Sequence, residues 1–241
     1  TTITAGTLTL GAAGVIPNAS NVAVNGSTVF NLAGFSETIG DLSGAGSVTL
    51  NGGTLTTGTA GNSTFSGIIS LAGNLIKQGA GILTLSGVNT FTGTVTINGG
   101  TLQIGVTNAL PTTAAVTLAN AVGVIFDLNG FDTTIGSLSG LGGDVSLGGN
   151  RLTVNNTANT TFNGTITGTG GITKQGTGTL ILNGINLYFG ATNIDAGTLE
   201  FTNNPFTTAV NVTSGASLSL VGASLGGTLN LNGVGVASNG A

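Results

Sequence analysis

The sequence predicts an all-β protein, a parallel β-solenoid with about 20 residues per coil and a superimposed long repeat of about 95 residues. Three observations predict it. The first is a duplication: "IKQGAGILTLSGVNTFTGTVTINGGTLQI" at 76–104 returns without a gap at 173–201 as "TKQGTGTLILNGINLYFGATNIDAGTLEF". The second is alternation: "SVTLNGGTLTT" at 47–57, "GILTLSG" at 81–87 and "TVTINGGTLQIG" at 94–105 place large aliphatics at every other position, the period of a half-buried strand. The third is composition. Gly supplies 45 of 241 residues and charged residues only 4%, far below the usual quarter.

Taken in order, the chain reads as units of the same kind. "GTLTLG" at 6–11 is answered by "GTLQIG" at 100–105 and by "GTLEF" at 197–201. "FNLAGFSETIGDLSG" at 30–44 returns as "FDLNGFDTTIGSLSG" at 126–140. The expected organisation of residues 1–241 is one continuous solenoid, with long units at 6–99 and 100–196 and a partial third at 197–241. Twenty-residue coils would put about five coils in each unit, and about a dozen coils in a rod nearly 60 Å long at ~4.8 Å per rung. The repeat spacing drifts through 94, 96 and 97 positions, and these insertions belong in loops facing solvent. Asn-Gly pairs at 25, 51, 98, 129, 163, 183 and 232 mark corners, because both residues tolerate positive φ. An antiparallel sandwich also uses short alternating strands, but does not account for a long repeat carrying several strand and corner sets per copy.

The scarcity of charge follows from stacking. In a parallel solenoid each outward side chain lies beside its counterpart one coil away, so like charges would repel at strand spacing while Thr, Ser and Asn can hydrogen-bond in ladders. The mean hydropathy of +0.47 supplies enough apolar surface to fold. A net charge of −4 has the wrong sign for phosphate, so nucleic acid is not an expected partner. No run of 18 apolar residues long enough to span a membrane as a helix occurs in the sequence, and its first residues do not read as an export leader. Because residue 1 is not Met and the chain begins inside a repeat, the expectation is a piece of a longer chain, or a subunit stacking end to end.

The run from Leu75 to Gly105 resembles the autotransporter-associated β-strand repeat of type V secreted proteins. The marks are the turn Lys77-Gln78-Gly79-Ala80-Gly81, the following "LTLSG", the corner "NTFTG" at 89–93 and the closing "NGGTL" at 98–102. The copy at 174–199 is looser, with Leu187, Phe189 and Ala191 at the usual Thr positions. The resemblance implies a right-handed parallel β-helix on the surface of, or released from, a Gram-negative-type bacterium. It implies no activity, since such passengers carry adhesins, enzymes and inert stalks alike.

Candidate sites are few. Without His or Cys, Ser-His-Asp and Cys-His chemistry is excluded and only oxygen ligands remain for a metal. No cofactor is expected; "LGGDVSLGG" at 141–149 offers calcium a single acid. The acids Glu37, Asp41, Asp127, Asp132, Asp144, Asp195 and Glu200 are scattered, and a glycosidase would need two of them to converge across coils. The sharpest features are the repeat corners, with structural roles expected for Lys77, Gly79, Gly81 and Asn89 and for Lys174, Gly176, Gly178 and Asn186. Lys77 shares the parity of Leu75, and Lys174 that of Ile172, so a strand running straight on would aim an ammonium inward; the expectation is a corner at Gly79 and Gly176, with the Lys stem over apolar surface and its head on backbone carbonyls or in solvent, the alternative being a sugar- or partner-binding cation displayed once per unit. Phe30, Phe35, Phe65, Phe91, Phe126, Phe131, Phe162 and Tyr188 read as stacked core or corner aromatics. The function expected is a non-enzymatic extracellular rod, structural or adhesive. Its partners are adjoining coils of itself and surface glycans or proteins; the rival is a polysaccharide-degrading β-helix enzyme.

Overall fold

In the computed structural model, which describes residues 1–202 and 208–232, the alternating segments form short strands and every pairing is parallel. No helix occurs among the described residues. The end of the third unit, including the Asn232-Gly233 corner, lies largely outside them.

The chain winds through about 11 turns, with equivalent positions roughly 20 residues apart. At ~4.8 Å per rung the rod is roughly 50 Å long. Each coil has three sides. The first side is a ten-stranded ladder running from Thr2–Ile3 to Asn186–Tyr188, and the third is a ten-stranded ladder from Glu37–Thr38 to Ser217–Val221. The second side carries a four-stranded ladder from Thr7–Thr9 to Ile68–Ser70 and, further along, a six-stranded one from Thr133–Ile135 to Leu229–Asn232.

Alternation becomes an inside and an outside. Leu55, Leu75, Val95, Val116 and Leu138 form one inward column on the third side, partner to partner through five coils. Leu83, Leu85, Ile97, Leu102, Leu180, Leu182, Ile194 and Leu199 are all buried. So are Phe30, Phe65, Phe91, Phe126, Phe162 and Tyr188, whereas Phe35 sits at the surface and Phe131 is only partly covered. The outward columns are polar: Thr117 and Ser139 hydroxyls meet at 2.9 Å. Asn230 donates to Asn211 at 2.7 Å and Asn211 to Asn193 at 2.8 Å, an amide ladder in which each carbonyl meets the next coil's donor.

The long repeat and the coil do not close together. "GTL" at 6–8 leads the strand Thr7–Thr9 on the second side, at 100–102 the strand Thr101–Ile104 on the first, and at 197–199 the strand Thr198–Thr202 on the third. Starting from Thr7–Thr9, the chain returns to the second side at Val29–Asn31, Ser47–Thr49, Ile68–Ser70 and residues 86–92, then advances two further sides to reach Thr101–Ile104. A long unit is therefore four coils and two thirds, close to the five or so expected but not a whole number. Successive copies are turned by one side, because the repeat is set by a whole number of strand-and-corner steps, and that number is not a multiple of three.

Candidate functional site

The corners after Lys77 and Lys174 are built alike. Lys77 ends the strand Asn74–Lys77 and stays inward, 1% exposed, and the chain turns only afterwards, through Gly79 at φ 70°. Its ammonium stops at the corner and donates to the carbonyls of Gln78 at 2.8 Å, Gly79 at 2.9 Å and Gly99 at 3.0 Å. Lys174 is fully buried and repeats the pattern on Gln175 at 2.6 Å, Gly176 at 2.7 Å and Ala196 at 3.2 Å. Gly176 has φ 73°. Of the two ends expected for the ammonium, backbone carbonyls or solvent, the structure has the carbonyls, two of them from the turn itself. A third carbonyl comes from the next coil, so each lysine ties two coils together.

Gly81 and Gly178 serve close stacking. A Cβ on Gly81 would fall 1.7 Å from Gly61 O, and one on Gly178 would fall 2.4 Å from Ala158 O. Asn89 is buried and spans three coils: its Oδ1 accepts from Ile69 N at 2.7 Å, and its Nδ2 donates to Gly87 O at 3.1 Å and Ala109 O at 2.6 Å. Its counterpart Asn186 is also buried and donates to Gly184 O at 3.1 Å.

Charge is absorbed into these walls. The remaining basic side chain, Arg151, uses Nη1 to reach Ile172 O and Thr173 Oγ1 at 3.1 Å and Ala191 O at 3.3 Å. All three basic side chains of the sequence are thus bonded to the solenoid itself. The acids are held by neutral donors: Asp127 by Gln103 and the Asn129 N–H, Asp132 by the Arg151 N–H, Asp195 by Gln175, and Glu200 by Ser219. Glu37 lies inside, accepting from Val15 N at 3.0 Å. Among the described residues no three acids gather as a metal site would require.

Burial of the two lysines has a measurable consequence. Desolvation pulls Lys77 from the usual 10.5 down to about 8, partly opposed by Asp41, and desolvation does the same to Lys174. Between about pH 8 and 10.5 the unfolded chain then holds more protons than the folded one, so stability rises with pH across that window. Burial raises the pKa of Tyr188, so above the ordinary tyrosine value of about 10 the unfolded state gains by ionising and stability falls again. The thermal midpoint is expected to climb from pH 7 to a maximum near pH 10, and Lys174→Met should remove about half of the climb. A flat profile, or one unchanged by that substitution, counts against this account.

The insertions that shift the repeat spacing lie together. Two extra residues fall in the corner at 119–123 and one in the corner at 141–143, on the same edge of adjacent coils. Val122 and Leu141 stand exposed there, beside a cleft of about 440 Å³ walled by Thr117, Leu118, Ala119, Asn120 and Gly140. A further apolar strip consists of Ile185, Leu187 and Phe189, all exposed on and beside the strand Asn186–Tyr188. Their counterparts are Val88, Thr90 and Thr92, so the substitutions were visible in the sequence, but their outward direction was not.

Residues 75–104 and 172–201 match the passenger-associated-transport-repeat family. Both copies of the duplicated segment are thus similar to that repeat. It is also 48% identical over 92 residues, 36% of its length, to the Adhesin BmaC autotransporter of Brucella suis biovar 1 (strain 1330). The chain spans about 3% of the length of that relative. No solved structure matches it.

Proposed function

We propose that this chain is a non-enzymatic structural and adhesive segment of an extracellular β-solenoid rod, carried on or released from a Gram-negative surface. The passenger repeats and the similarity to an autotransporter adhesin support the compartment and the role. The observation that carries the adhesive reading is the surface itself: ladders of hydroxyls and amides on flat parallel sheets, with both lysines buried and Arg151 bonded to the wall through Nη1. Such a surface recognises neutral, hydrogen-bonding partners rather than anionic ones, because both lysines are buried and the net charge is −4.

The test is retention of host cells on the immobilised chain. Retention is expected, and it should change little between about 0.05 and 0.5 M salt, where a charge-steered contact would weaken. No retention, or retention abolished by salt, sinks the reading. Turnover of a polysaccharide that Asp132→Asn removes would replace it with the enzyme alternative. A finer part of the proposal is that coils continue end to end, within a longer chain or onto a second copy, since each ladder is parallel and in register. Monodisperse monomers of this segment would count against association between copies.

A further inference from the structure

Asn-Gly pairs turn corners along the whole chain, and within the described residues one of them is held differently from the rest. Such a pair carries a latent reaction, since the glycine nitrogen can attack the asparagine side-chain carbon with no Cβ of its own in the way. Hydrogen bonds decide whether a folded corner permits it. Asn51 donates through Nδ2 to Asn31 Oδ1, while Gly52 N is bonded to Ala72 O. Asn129 donates to Ile104 O at 3.0 Å, and the amides of Asn163 and Asn183 hold each other at 3.0 Å. At Asn25 the backbone carbonyl accepts from Thr28 N at 3.1 Å and Thr28 Oγ1 at 2.8 Å, which fixes the peptide plane ahead of Gly26.

Asn98 is under none of these restraints. Its side chain is exposed and makes no hydrogen bond among the described residues, and neither its carbonyl nor Gly99 N has a partner there. The Asn98 N–H is anchored to Lys77 O at 2.8 Å, and Gly99 O to the Lys77 ammonium at 3.0 Å. Both anchors lie outside the intervening peptide plane, which can turn through ψ of Asn98 and φ of Gly99 without breaking either, and glycine tolerates the φ that results. The second unit shows where the product fits. There Asp195, Ala196 and Gln175 stand for Asn98, Gly99 and Gln78, and Asp195 Oδ2 accepts from Gln175 Nε2 at 3.2 Å. Asp195 N meets Lys174 O at 2.9 Å, as Asn98 N meets Lys77 O. The Gln78 side chain makes no hydrogen bond among the described residues, so its amide is open to the same partner.

We propose that Asn98 is a site of spontaneous deamidation, at which this corner of the first unit converts to the carboxylate found in the second. Gly99 N gives its proton to solvent and bonds to Asn98 Cγ; the Cγ–Nδ2 bond breaks, and ammonia leaves with a proton taken from water. Water then opens the cyclic imide. Breaking the new N–Cγ bond gives aspartate at 98, and breaking the original peptide bond gives the isoaspartyl form. In sum, a carboxamide and water become a carboxylate and ammonium. The reaction adds a negative charge to a chain whose net charge is −4, on a wall where charged side chains are scarce. The isoaspartyl form also adds a main-chain carbon between two rungs, Asn98 N to Lys77 O at 2.8 Å and Thr101 N to Gly81 O at 3.1 Å.

The test incubates the whole folded chain in mildly alkaline buffer and follows the amide-to-acid mass change at each pair by peptide mass spectrometry. Conversion at Asn98 is expected to run ahead of that at Asn25, Asn51, Asn129, Asn163 and Asn183, and the lead should vanish in urea, where no corner is held. Gly99→Ala puts at this corner the residue that the second unit carries as Ala196, with its Cβ 3.1 Å from Gly79 N and O. It should slow conversion at least about tenfold, because the methyl crowds the attacking nitrogen. Asn98→Asp is expected to shift the Gln78 side-chain amide resonances, the signature of the bond that Gln175 makes. Asn98 converting no faster than the other pairs in the folded chain, a lead that persists in urea, or an unchanged rate in Gly99→Ala overturns the site. Unshifted Gln78 resonances in Asn98→Asp overturn the fit of its product.

Discussion

Gly81→Ala is expected to lose about 3 kcal/mol or more of stability, because the added methyl has nowhere to go. Its carbon would lie 1.7 Å from Gly61 O and 2.5 Å from Gly61 C. Both are backbone of the preceding coil, which cannot swing aside as a side chain can. The coils must part there, at the cost of the bonds from Gly81 N to Thr59 O at 2.9 Å and from Thr101 N to Gly81 O at 3.1 Å. The same contact recurs one coil later, where a Cβ on Gly100 would fall 2.3 Å from Gly81 O. Gly26→Ala is the control, since Gly26 is exposed and a Cβ there meets nothing within 4 Å; it should shift stability by no more than about 0.5 kcal/mol. Urea midpoints of the two variants decide the matter, and equal values would falsify the stacking account.

Leu85→Ala is expected to cost about 3 kcal/mol by opening a cavity in the core column. Leu85 is wholly buried between Phe65 of the preceding coil and Ile104 of the next. Backbone pairing holds all three side chains one rung apart, so collapse around the gap is restricted. Ile82→Ala on the same strand is the comparison, because Ile82 lies on the outward parity and is only half-buried. Its loss should be clearly smaller. Comparable losses at both positions would mean that the assigned inside and outside are wrong.

Much of the candidate site was legible residue by residue. Lys77, Gly79, Gly81 and Asn89 recur at 174, 176, 178 and 186, and duplication alone drew attention to them. Which carbonyls the lysines reach was not legible. Their acceptors include Gly99 and Ala196, each 22 residues away and next to nothing in sequence. The deamidation site was equally hidden: Asn98-Gly99 is one of seven such pairs in the sequence, and only the hydrogen bonds that hold the other corners set it apart. The apolar residues Val122 and Leu141 fall in inserted corners, where alternation no longer says which way a side chain points.

The sequence by itself determined that this is a β-solenoid with polar outward ladders and an aliphatic core, because both properties are local. A period of two separates inside from outside within one strand, and a Gly or Asn corner ends it. Only the tertiary structure decided which side of the rod each copy of the repeat faces. That orientation depends on the summed lengths of every strand and corner in between, so one extra corner step anywhere in the unit would turn all that follows. Thr7–Thr9, Thr101–Ile104 and Thr198–Thr202 are nearly the same words on three different sides. Coil closure, a long-range constraint, sets that rotation, and with it which side chains from different coils come to share a corner.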